Sequence, residues 1–186
     1  IVKFDANGTV AWAKSGGGNT GNNLPYDICS DPWGNVYVAG STNGNFPLQA
    51  MAGAYNQSVF GGGFWDGDAF FIKFNSSGAR SWSTYFGGVN DDHAYALGTD
   101  ASNNLFVLGQ SASPNLPLQV LAGAYNQTFG GVGMFNYGDA FILKFNSSNQ
   151  LVWSTFYGGS SDEYINSPDN LAIDACGNLY ISLLTY

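Results

Sequence analysis

Asp68-Ala69-Phe70-Phe71-Ile72-Lys73-Phe74 is followed by Trp82-Ser83-Thr84-Tyr85-Phe86-Gly87-Gly88. Both return, as Asp139-Ala140-Phe141-Ile142-Leu143-Lys144-Phe145 and Trp153-Ser154-Thr155-Phe156-Tyr157-Gly158-Gly159. Each block is rich in aromatic and β-branched residues and bounded by Gly, Asn, Asp or Ser, the composition of a short strand. The tail of the first block appears a third time at Ile1-Val2-Lys3-Phe4, and a weaker copy of the second runs from Trp12 to Gly18. Gly34-Asn35-Val36-Tyr37-Val38 matches Asn103-Asn104-Leu105-Phe106-Val107 and Gly177-Asn178-Leu179-Tyr180-Ile181. Ala52-Gly53-Ala54-Tyr55-Asn56-Gln57 recurs as Ala122-Gly123-Ala124-Tyr125-Asn126-Gln127. Blocks that return in one order at one spacing define an internal repeat.

Each unit holds four strand-like stretches, at about 26–30, 35–41, 68–74 and 80–86 in the first complete one. No stretch carries a 3.6-residue apolar period, so almost no helix is expected. The turns agree. Ala6-Asn7-Gly8, Ser76-Ser77-Gly78 and Ser147-Ser148-Asn149 join third strands to fourth; Trp33-Gly34, Ser102-Asn103 and Cys176-Gly177 join first to second. The repeated position is always Gly or Asn, the residues that tolerate the left-handed backbone of tight hairpins. Phe70, Ile72 and Phe74 face one way, Ala69 and Phe71 the other. A sheet apolar on both faces needs neighbours on both sides, and radial stacking supplies them. The expected fold is all-β: β-propeller blades of four antiparallel strands, about 70 residues per repeat. The expected division is half blade 1–18, blade 26–88, blade 94–159 and half blade 169–186. That is fewer than the usual minimum of about four blades. The expectation is therefore a single partial domain of a larger propeller, with further blades or another chain covering both ends.

These blocks resemble the bacterial SBBP repeat family of seven-bladed β-propellers. Its pattern is similar to Asp68-Ala69-Phe70 with Lys73-Phe74, then Trp82-Ser83-Thr84-Tyr85 with Gly87-Gly88, the Asp91-Asp92 turn, and Gly34-Asn35 with Tyr37-Val38. The resemblance covers nearly the whole chain. It implies a propeller in a large secreted or surface-attached bacterial protein, with no catalytic residues, and it includes proteins exported by a type IX-like secretion route. The long aromatic connections at about 43–67 and 112–138 depart from the pattern.

Charged residues make up only 10% of the 186 while aromatics reach 16%, so the chain is not of the disordered class. Five Lys and Arg against thirteen Asp and Glu give a net charge of −8, which disfavours nucleic acid and anionic membrane as partners. No apolar run approaches a membrane span, so no membrane insertion is expected. No signal peptide is visible and the chain opens inside a strand, so its natural start is expected upstream. Cys29 and Cys176 stand at non-equivalent places in the repeat, and nothing pairs them by symmetry.

Candidate chemistry is sparse. Asp91-Asp92 and Asp162-Glu163 are read first as turn caps and second as ligands of calcium. His93 beside Asp92 invites a catalytic reading, but Tyr164 takes its place in the next unit and no nucleophile elbow occurs. Lys3, Lys73 and Lys144 are expected to pair with a repeated acid such as Asp68 or Asp139 while their stems pack on aromatics. Nine of the thirteen acids (Asp31, Asp68, Asp91, Asp92, Asp100, Asp139, Asp162, Glu163 and Asp174) recur at equivalent places. An active site is unique, so repetition favours scaffolding. Phe64, Trp65, Phe135 and Tyr137, in the long connections, are the candidate binding residues for a glycan or protein surface. The leading expectation is a non-catalytic structural or adhesive module of a secreted or cell-surface protein. A secreted glycan-active enzyme domain and a cargo of the secretion machinery are the alternatives.

Overall fold

The computed structural model describes residues 1–58, 61 and 67–185. Two complete four-stranded antiparallel sheets lie at its centre. The first is β3 (Asn23–Ser30), β4 (Val36–Thr42), β5 (Asp68–Phe74) and β6 (Arg80–Phe86). The second is β7 (Asp92–Thr99), β8 (Leu105–Ser111), β9 (Asp139–Phe145) and β10 (Leu151–Tyr157). In both, spatial order equals chain order, the meander of a propeller blade. Before them, β1 (Val2–Phe4) pairs with β2 (Val10–Ala13). After them, β11 (Glu163–Tyr164) pairs with β14 (Leu184–Thr185), and β12 (Leu171–Ile173) with β13 (Leu179–Ile181). A 3-10 turn at Pro168–Asn170, capped by the Ser167 side chain, separates β11 from β12. It is the only helical element among the described residues.

The hairpins close through the residues whose type anticipated them. Gly8, Gly34, Gly78 and Gly177 have φ between 78° and 81°, while Asn103 and Asn149 reach the same region at 62° and 58°. Each turn between a first and second strand is also tied by an aspartate. Asp31 accepts the N–H groups of Trp33 and Asn35 and the Asn35 amide. Asp100 and Asp174 repeat the arrangement with Asn104 and Asn178. Three of the recurring acids are thereby explained as turn ties.

Side-chain alternation builds three cores. Phe70, Ile72 and Phe74 pack with Val38, Phe46 and Tyr85 against Ile1 and Trp12 of the preceding pair. Ala69, Phe71, Trp82 and Phe86 face the next sheet, where Val107, Phe141, Leu143 and Phe145 meet them. Ala140 and Ile142 then turn to Leu171, Leu179 and Ile181. Trp82 is fully buried, with its ring edge-on to Phe145 at 5.5 Å, whereas Trp153 is only half-buried. Lys73 and Lys144 pack on aromatics as expected, but not beside Asp68 or Asp139. Lys73 lies 4.9 Å over the Tyr37 ring and Lys144 5.0 Å over the Phe106 ring. Asp68 and Asp139 open the strands that these lysines nearly close, so an extended backbone holds acid and lysine at opposite ends.

The long connections have a structural task that the sequence did not reveal. Residues 43–58 run back along β6, exchanging backbone bonds between Gln49 and Ser83, and Tyr85 N–H then donates to Gln57. Residues 112–138 repeat this on β10 through Gln119 with Ser154 and Gln127 with Phe156. An outer strand is an aggregation hazard when open, and each strap covers one. The recurring Ala-Gly-Ala-Tyr-Asn-Gln block is the fastening. The indole N–H of Trp82 donates to Tyr55 O, and that of Trp153 to Tyr125 O, both at 2.8 Å. The Gln57 amide bridges the Gly87 N–H and C=O. Tyr55 N–H reaches the Asn149 carbonyl of the next sheet at 2.9 Å, which links neighbouring units.

Candidate functional site at the acidic rim

The two acidic doublets sit where one sheet hands over to the next. Consecutive residues of an extended chain point opposite ways, and each doublet divides accordingly. Asp91 and Asp162 turn to the straps, where Asp162 is itself buried. Asp91 accepts the Gly67 N–H at 3.0 Å. Asp162 accepts four, from Gly133, Phe135, Tyr137 and Gly138, at 2.8 to 2.9 Å. Burial works against the Asp162 charge, but those four donors prevail and hold its carboxyl below the usual range.

Asp92 and Glu163 turn inward and are almost fully buried. Asp92 accepts from Gly88 N–H at 2.7 Å and from the hydroxyls of Ser111 and Ser113. Glu163 accepts from Gly159 N–H at 3.2 Å. Burial pushes both carboxyls up to about 7. The members of each doublet therefore serve different partners. Among the described residues, no three His, Cys, Asp or Glu side chains converge as a metal would require.

The loop pinned by Asp162 carries exposed apolar side chains. Met134 is 92% exposed, Phe135 56% and Tyr137 41%. The Phe135 and Tyr137 rings stack at 6.0 Å, and Tyr137 continues to Tyr164 at 5.7 Å. Phe64 and Trp65, the other two candidate binding residues, lie outside the described residues. Asp91 holds Gly67, just beyond them, as Asp162 holds Gly138.

His93 lies within β7, not in a turn, with Nδ1 2.8 Å from the Tyr95 hydroxyl. Tyr95 occupies a bulge in β7 and stacks on Tyr26, which occupies the matching bulge in β3, at 4.9 Å. Sequence reasoning missed this pair, because a bulge leaves no mark on the alternation except the glycine opposite it. A cleft lies between Tyr125 and Tyr157, beside Gln127 and Glu163. Its counterpart one sheet earlier is closed: Tyr55 packs on Phe86 and on Phe145 of the following sheet.

Residues 17–47 match the SBBP family, described as a beta-propeller repeat. The matched residues run from the segment before β3 through β4, and so include the Asp31 turn tie. The chain is also 26% identical over 167 residues to the regulatory protein FlaEY of Caulobacter vibrioides. That similarity covers 89% of this chain and 16% of FlaEY, so the chain spans about a sixth of that relative's length. No helix among the described residues is long and apolar enough to cross a membrane.

Proposed function

We propose that this chain is a non-catalytic binding module of a secreted or cell-surface bacterial protein, and that it presents strap-borne aromatics to a glycan or protein surface. The observation that carries the reading is the loop 133–138, with Met134, Phe135 and Tyr137 on it. Its side chains are exposed while its backbone is fastened to Asp162 by four hydrogen bonds, so docking costs little ordering entropy. On this reading calcium is not needed. The double variant Phe135→Ser/Tyr137→Ser is tested against immobilised neutral and acidic polysaccharides and bacterial surface-protein extracts. Binding is expected to fall at least about tenfold, the loss of two aromatic anchors, with an unchanged melting temperature. Binding equal to that of the parent chain, or none by the parent, overturns the reading.

The same reading places a further blade against each outer sheet. Phe145 closes the Tyr55–Phe86 contact, while Tyr125 and Tyr157 are 55% and 44% exposed at the matching place. Val2, Phe4 and Val10 are also at least half exposed. The isolated chain is expected to self-associate in sedimentation experiments, since open sheet faces and edges pair. A monomer at micromolar concentration would overturn this.

A further inference from the structure

Two buried carboxyls from consecutive sheets meet where β9 begins and β11 begins. Asp139 is fully buried; its Oδ2 accepts the Gly130 N–H at 2.6 Å, but its buried Oδ1 has no donor. Glu163 is 2% exposed; its Oε1 accepts the Gly159 N–H, but its buried Oε2 has no donor either. The two groups crowd the same glycine. A Cβ placed on Gly158 would stand 2.2 Å from Glu163 Oε2 and 2.9 Å from the Asp139 carboxyl carbon. Two like charges in so small and dry a space repel, and an acceptor with no donor is costly.

We propose that Asp139 and Glu163 share one proton across this junction, and that cohesion between the two sheets therefore depends on pH. The proton sits on Glu163 Oε2, which donates to Asp139 Oδ1. One hydrogen then satisfies both orphaned oxygens and removes one of the two charges. The preceding junction has a related pair, Asp68 and Asp92, both buried, with Asp68 Oδ1 likewise lacking a donor. A third position shows what the site accepts. Asn23 opens β3 as Asp92 opens β7, and it accepts from the Thr42 hydroxyl as Asp92 does from Ser111. A neutral isostere already occupies that place in the chain. A metal ion is the alternative neutraliser, but Asp162, the nearest further acid, is committed to four backbone donors.

The titratable groups around the pair give it no positive charge. Asp139 and Asp162 are the charges acting on Glu163, and both are acidic. Tyr125 and Tyr157 line the cleft beside Glu163, and Thr185 of β14 and Gln110 of β8 are uncharged neighbours. Burial first, then the Asp139 charge, raises Glu163 from 4.5 to about 7, and burial raises Asp139 as well. A carboxyl whose folded value is raised binds its proton more tightly when folded. Its contribution is complete below about 4.5 and is lost as pH rises through about 7.

The test is thermal unfolding of the whole chain between pH 5 and pH 9, with Glu163→Gln, Asp139→Asn and, as a charge-matched control, the exposed Asp169→Asn. The parent is expected to melt several degrees lower at pH 8.5 than at pH 5.5. Glu163→Gln and Asp139→Asn should each remove part of that slope, chiefly by raising the melting temperature at pH 8.5, while Asp169→Asn keeps the parent slope. If Glu163→Gln does not fold, Asp139→Asn alone decides. A flat parent profile, or Glu163→Gln and Asp139→Asn profiles parallel to the parent, overturns the proposal. So does calcium chloride, if it restores the parent at pH 8.5 but not Glu163→Gln, because a cation would then hold the pair.

Discussion

Trp82→Ala is expected to destabilise the chain by about 3–5 kcal/mol, the cost of emptying a large aromatic site in a packed core. At roughly 2–4 °C per kcal/mol for a domain of this size, the melting temperature should fall by about 10 °C. Two losses combine. The ring fills the contact between consecutive sheets, parallel to Phe71 at 6.4 Å and edge-on to Phe145. Its N–H is also the clamp on the strap at Tyr55, so the variant loosens the cover over β6. Trp82→Phe should cost less than Trp82→Ala but still release the strap, which faster hydrogen exchange at Ser83 and Tyr85 would report. Trp153→Ala should cost clearly less than Trp82→Ala, because Trp153 is half-buried. Equal losses for the two tryptophans would contradict this account of the core.

Gly109→Ala is the second large effect, at about 1–3 kcal/mol or more by the measure of overpacked cores. Gly109 sits opposite the Tyr95 bulge, where β7 swings close to β8. A Cβ there would stand 2.4 Å from the His93 carbonyl oxygen and 2.1 Å from the Phe141 ring. Backbone and ring would both have to move, and with them the core that joins the two complete sheets. Gly40 repeats the geometry, with a Cβ 1.9 Å from the Leu24 carbonyl oxygen. Gly159→Ala is the contrast, since its nearest atom would be 4.0 Å away, and its change should stay within about 0.5 kcal/mol. Urea unfolding of the three variants compares them directly. Gly109→Ala matching Gly159→Ala would show that the bulge can relax.

The strands, their pairing order and the left-handed turn residues were legible because each repeats, and because short-range alternation and turn chemistry are local. Phe70 against Phe71 is an example: adjacent aromatics had to face different sheets, and they do. The straps were not legible. Tyr55 and Gln57 offer their own backbone groups to the Trp82 indole and the Thr84 hydroxyl, contacts across 27 residues that no local pattern signals. The rim acids were legible as repeated, but not in their division of labour. Asp91 and Asp92 look alike in the sequence, and only their placement sends one to Gly67 and the other to Ser111 and Ser113. Asp139 misled for the same reason, since its nearest repeated basic residue lay at the far end of its own strand.

The link from Tyr55 to Asn149 bears on how such a chain changes length during evolution. The strap of one sheet finishes on a main-chain carbonyl of the next sheet's hairpin, a group that every copy of the unit supplies whatever its side chains. Duplicating or deleting one whole unit in phase would leave each strap an anchor and each rim acid its counterpart. A copying event out of phase by two strands would strand one Asp139-type carboxyl and one Tyr55-type strap at once. Copy number can therefore drift by whole units without new interfaces, while the phase is policed by the junctions themselves.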